Sequence, residues 1–199
     1  MIWRTCRDDT LAVELQGVER RSMDLAAALP LLLPQAIAWA QDQTDETLAV
    51  GVSLGLEALA NARRVGVLAP ERVRVKVVDA LPLPEDPVLR AAALQAGLLG
   101  PGMIGLTLGY AIFIRKGHLG LRVLSHECRH VQQYESRGGI AAILPIYLAD
   151  VVAVGYAASS FEADARSHEI GPPDPRDSSD SLPPLRPAMS RRPLGDHEE

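Results

Sequence analysis

The stretch SHECRHVQQYESRGG, residues 125–139, decides how this chain is read. It contains His126-Glu127-Cys128-Arg129-His130, an H-E-x-x-H pattern. On a helix, histidines four residues apart lie one turn apart on one face, so both imidazoles can reach one ion. Glu127 projects from the neighbouring edge of that face, which sets its carboxylate beside an ion rather than on it. Two imidazoles and an open coordination position suit Zn2+, and Glu127 then serves as general base toward water. Leu121, Leu124, Cys128 and Val131 form an apolar stripe on the other side, so Cys128 is assigned to the core and not to the metal. Gly138-Gly139 stops the helix, which is expected over Leu119 to Arg137.

A catalytic zinc requires a third protein ligand. The residues after His130 are Val131, Gln132, Gln133, Tyr134, Glu135 and Ser136, so a third histidine does not follow in the same helix. The ligand must come from a later element. The segment FEADAR, residues 161–166, is the best source, with Glu162 preferred and Asp164 and His168 left open. The competing reading makes Glu162 a surface carboxylate paired with Arg166 one turn on. Tyr110, Tyr134, Tyr147 and Tyr156 could each donate a proton toward a developing oxyanion, and Tyr156, six residues before Glu162, is preferred. Gln133 and Glu135 could orient a ligand histidine, but helix solvation accounts for both more simply. His118 and His197 have no partner pattern and receive no role.

Outward from the motif, residues 24–41 and 44–64 read as two helices, and Val73 to Asp79 as a half-buried strand. LPLPEDP is extended, because each proline biases its predecessor away from helix. Pro87 to Leu99 is expected to be helical, and Leu106 to Ile114 (LTLGYAIFI) a second strand. Gly138 to Ala158 is long enough to cross a bilayer, but Pro145 and Asp150 interrupt it. An Asp at mid-span costs roughly 2.5–3.5 kcal/mol on insertion scales, so a buried core helix is favoured and peripheral membrane contact stays open. The fold class is therefore α+β, mostly helical, with a small sheet ahead of the motif helix.

Composition narrows the function classes. The 199 residues are 47% hydrophobic and carry a net charge of −5, which argues against a nucleic-acid partner. Aromatics at 4% are too few for base-stacking platforms. Two cysteines, Cys6 and Cys128, fit a reducing compartment. The first 24 residues show no unbroken apolar run, so no secretory leader is expected and a cytoplasmic location is. Pro172, Pro173, Pro175, Pro183, Pro184, Pro187 and Pro193 crowd into residues 171–199, which read as a disordered tail behind a single domain at 1–170.

The run SHECRHVQQYESRGG resembles the motif helix of zincin-like metallopeptidases of the gluzincin kind, and GYAASSFEADAR resembles the segment supplying their glutamate ligand. The wider pattern is similar to small bacterial H-E-x-x-H proteins of uncharacterised function, over roughly residues 73–168. The resemblance implies a zincin fold, zinc on His126, His130 and Glu162, and Glu127 as catalytic base. It also implies that the strand before the motif helix pairs edge-on with a peptide, here Leu106–Ile114, with Leu108, Gly109 and Tyr110 as substrate contacts. The chain departs from the pattern at Arg166, where such proteins place an acidic residue four positions after the glutamate ligand; Asp164 is the available substitute. The expected function is a zinc metallohydrolase acting on peptide bonds. The alternatives are a non-catalytic metal-stabilised interaction module and a peripheral membrane protein.

Overall fold

The computed structural model describes residues 22–171; the expected tail beyond Gly171, Cys6 and His197 lie outside them. The architecture is α+β, with six α-helices around one four-stranded mixed sheet among the described residues. In chain order these are α1 (Leu25–Val50), β1 (Val52–Ser53), α2 (Leu56–Arg64), β2 (Arg74–Val78), α3 (Pro87–Gln95), β3 (Gly105–Leu108), β4 (Ala111–Arg115), α4 (Leu121–Arg137), α5 (Ile140–Val154) and α6 (Ser160–Ser167). The strand order is β1-β2-β4-β3, with β2 and β4 parallel and the outer pairs antiparallel.

Two expectations about elements are corrected. The two helices expected at 24–41 and 44–64 are instead one long helix, α1, then the short β1 and the separate α2. Pro30 and Pro34 stay inside α1 because both are exposed, as is Ala26 four residues before Pro30, so water can satisfy the carbonyls they leave unbonded. The polar run Asp42–Glu46 reads as a break, yet Thr44 within it and Thr47 just after it are buried, and Thr44 Oγ1 sits 2.9 Å from the Leu108 carbonyl. That contact ties α1 to the sheet and carries the helix onward.

The single strand expected over Leu106–Ile114 is a hairpin. β3 and β4 pair antiparallel with Leu108 opposite Ala111, and Gly109-Tyr110 form the two-residue turn. Gly109 takes a positive φ of 59°, as a tight hairpin turn requires. The other elements lie close to where their patterns put them.

One core layer joins α2, β2, β4 and the inner face of α4: Ala62, Val73, Ile112, Ile114, Cys128 and Val131 pack together there. The second joins α1, the hairpin and α5 through Ala40, Leu108, Phe113 and Leu144. Cys128 is in the core as expected, and burial, followed by the nearby Glu127 charge, pushes its thiol up to about 12. α4 ends at Gly138 in the left-handed region, φ 87°, and the chain turns so that α5 leaves at 115° to α4. No single helix among the described residues is long and apolar enough to cross a membrane; α4 and α5 together have the length but are bent at that corner.

Thr47 is fully buried at the C-terminal end of α1, and its hydroxyl has no hydrogen-bond partner among the described residues. A buried unpaired hydroxyl costs about 1–3 kcal/mol. Thr47→Val keeps the shape and removes that penalty, so urea unfolding should show stability raised by about 1 kcal/mol. A loss of stability would mean that the hydroxyl is satisfied.

Candidate metal centre

α4 carries His126 and His130 on the face turned from the core, and their rings meet edge to face with centroids 4.9 Å apart. Their Nε2 atoms are 3.2 Å apart. Glu162, on α6, points its carboxylate at both: Oε2 is 3.5 Å from His126 Nε2 and Oε1 is 3.3 Å from His130 Nε2. His126, His130 and Glu162 are the one group of three metal-capable side chains found among the described residues. Glu162 is only 1% exposed, so the reading that made it a surface partner of Arg166 fails. Arg166 instead donates to the Ala157 carbonyl.

α6 reaches this position because α5 brings the chain back and Asp150 fastens the next turn. One Asp150 oxygen accepts from Ser159 Oγ, Ser160 N and Ser160 Oγ at 2.8–3.0 Å. Those bonds, the Ser159 hydroxyl foremost, hold the Asp150 carboxyl below its ordinary range. The residue that disfavoured a membrane span is thus a bracket at the start of α6. Arg129 on α4 then grips Asp164 on α6 with two bonds of 2.8 and 2.9 Å, lowering the Asp164 carboxyl to about 2. Asp164 is therefore committed to Arg129, Gln133 and the neighbouring His168, so neither Asp164 nor His168 joins the cluster.

The ring orientations are set from behind. His126 Nδ1 is 2.9 Å from Glu169 Oε1, and a carboxylate can only accept, so the proton is on Nδ1. Glu169 is also held by Arg122. His130 Nδ1 is 2.8 Å from Gln133 Oε1. The Gln133 amide is fixed because its nitrogen donates to Phe161 O and Asp164 Oδ2, which turns its oxygen toward His130. Both Nε2 atoms consequently present lone pairs. Gln133 is buried, so its expected role in helix solvation is overturned, and it orients a histidine instead. Glu135 is not solvent-facing decoration either: it accepts from the Leu68 and Ala69 amides and from the Tyr110 hydroxyl, holding the loop after α2.

These donors fit a metal ion. Two lone pairs and a carboxylate face one another with no donor hydrogen between them, which only a cation, a proton or a metal, can relieve. Nitrogens bound about 2.0–2.1 Å from a tetrahedral ion stand roughly 3.3 Å apart, close to the 3.2, 3.3 and 3.5 Å separations here. Burial opposes ionisation of Glu162, but once the imidazoles take up a proton their hydrogen bonds to it, His126 first and then His130, outweigh that and hold its carboxyl far below the usual range. Burial also lowers the basicity of His130, yet the Glu162 bond and the Glu127 and Glu162 charges push it up to about 8. The pocket thus attracts positive charge before any ion arrives.

Glu127 lies beside the cluster, 6% exposed, and Thr107 Oγ1 donates to its Oε2 at 2.7 Å. Its other oxygen occupies space that only a glycine leaves free: a Cβ at Gly105 would stand 2.0 Å from Glu127 Oε1. Tyr147 donates to Glu162 Oε1 at 2.9 Å. Tyr156 lines the same cleft, and burial followed by the Glu162 charge raises its phenol well above its ordinary range.

The expected substrate contacts fare differently. Leu108 lines the cleft, but its side chain is buried in the core beneath α1. Gly109 packs against Ile140 and Thr44 in the turn, while Tyr110 is held by Glu135 and stacked under Arg72. Neither Gly109 nor Tyr110 lines the cleft, so β3 faces it and the turn does not. Sequence reasoning missed Gly105, Thr107 and Glu169. Glu169 lies past the end of α6, so its two-turn spacing from Glu162 falls outside the helix, and 43 residues of chain separate it from His126. Comparison with protein-family models, with curated proteins and with solved structures returns no match.

A carboxylate that orients a ligand histidine typically contributes 10–100-fold to metal affinity. With zinc as the probe ion and a chelator as competitor, Glu169→Ala should weaken binding by about that factor, with helix content unchanged. Unaltered affinity would show that Glu169 serves Arg122 alone.

Proposed function

We propose that the protein is a zinc-dependent metallohydrolase of zincin-like, gluzincin-type character that hydrolyses peptide bonds. The observation that carries this reading is the near-tetrahedral spacing of His126 Nε2, His130 Nε2 and the Glu162 carboxylate, beside a separate buried carboxylate that binds none of them. His126, His130 and Glu162 would hold the ion. Zinc, when bound, supplies Lewis acidity toward a carbonyl oxygen and toward water.

The chain's own residues supply the rest. Glu127 takes the proton from the attacking water and delivers it to the departing amine. Thr107 holds one carboxylate oxygen in place, so the side chain keeps its direction as its charge changes. The Tyr147 proton is committed to Glu162, which leaves Tyr156 as the phenol donor toward charge growing on the carbonyl oxygen. β3 borders the cleft, so a peptide would lie along Gly105–Leu108 rather than at the turn.

Glu127→Gln separates chemistry from metal binding. Zinc should stay bound at one equivalent, while cleavage of an unstructured peptide mixture falls by about 10²–10⁴-fold. Zinc-loaded wild type that cleaves nothing in such a mixture would overturn the hydrolase reading and leave a metal-stabilised module.

A further inference from the structure

An apolar chamber, partly open to solvent, adjoins the cluster. Its volume is about 150 Å³, and its walls come from α1, α3, β3 and α5. Its polar lining includes two bonded sets: Thr107 bonds Glu127, while Gln133 bonds His130 and Glu162 joins His130 to Tyr147. Most other lining side chains are aliphatic, and the indole of Trp39 and the thioether of Met103 also line it. The space exists because small residues line it from both flanking helices: Ala36 and Ala40 on α1, Ala92 and Ala93 on α3, and Ala96 at the C-cap of α3. Leucines at those positions would fill it.

We infer that this chamber is the specificity pocket of the proposed hydrolase and takes one large apolar side chain, of phenylalanine or leucine size, from a residue flanking the scissile bond. The inference rests on the hydrolase reading. An apolar cavity of about 150 Å³ is the size that accepts one benzene ring and stays dry when empty. A charged or strongly polar side chain entering this space would lose its water, and Thr107, Gln133 and Tyr147 on its border are already bonded to neighbours. Because the chamber opens beside His130, Glu127 and Glu162, whatever fills it is held next to the reacting carbonyl.

Two hydroxamates with the same metal-binding head test this on the full-length zinc-loaded protein by calorimetry. One, acetohydroxamate, has no side chain to insert; the other, 3-phenylpropanohydroxamate, carries a phenyl group. A single methylene in an apolar pocket is worth roughly tenfold or more, so the phenyl compound should bind at least about tenfold tighter. Ala36→Leu should erase that preference and leave acetohydroxamate binding unchanged. Ala96→Leu, on the opposite wall, should do the same should the first variant fail to fold. Toluene should raise the melting temperature of metal-free wild type but not of the filled variants. Equal affinities for the two hydroxamates, or a preference that survives both substitutions, would overturn the pocket while leaving the hydrolase reading standing. Failure of both compounds to bind a protein that holds zinc would overturn the hydrolase reading and the pocket with it.

Discussion

Two imidazole lone pairs and a carboxylate converge across 3.2–3.5 Å without a donor hydrogen to separate them. Left alone, such a group is mutually repulsive and costly to bury. Much of the fold serves to hold it together. Glu169 and Gln133 lock the two rings from behind, Tyr147 steadies the carboxylate, and the Arg129–Asp164 pair clamps α6 onto α4. An arrangement that exposes its lone pairs only to one another has a cation as its natural complement.

The route of the chain explains how a glutamate 32 residues beyond His130 arrives there. Gly138 ends α4 by entering the left-handed region, α5 departs at a steep angle, and the Asp150 bracket starts α6 in a fixed direction. α5 is apolar enough to invite a membrane reading, but Leu144 is buried against α1 and the hairpin, Ile143 against Tyr134 and Phe161, and Val151 is buried too. Its bulk also builds one wall of the chamber beside the cluster. The same hydrophobic helix thus brings Glu162 to the two histidines and shapes the apolar space beside them.

What was legible in the sequence was local. The pair His126 and His130 needs only the period of one helix, and Glu162 stood out as a carboxylate just after a fold-back. The hairpin was hidden because Leu106 to Ile114 is apolar throughout, with Leu108, Ala111, Ile112, Phe113 and Ile114 all buried, so no alternation marks the turn. Gly-Tyr is also a weaker turn signal than Asn-Gly. α1 was split in the reading because Asp42–Glu46 is polar, and only the bond from Thr44 to a strand 64 residues away shows why the helix continues. Gln133 stood out as a possible partner of a ligand histidine but was set aside for helix solvation, and Glu169 did not stand out at all. The value of both depends on burial and on partners contributed by other elements, which helical spacing does not show.

The central claim is that these three side chains bind one ion together. A crystal structure of the zinc-soaked full-length protein, with an anomalous map recorded at the zinc edge, tests it most directly. The account predicts a single peak about 2.0–2.2 Å from His126 Nε2, His130 Nε2 and a Glu162 oxygen. An empty cluster at saturating zinc, with His130 bonded to Glu162 through a proton, would contradict it.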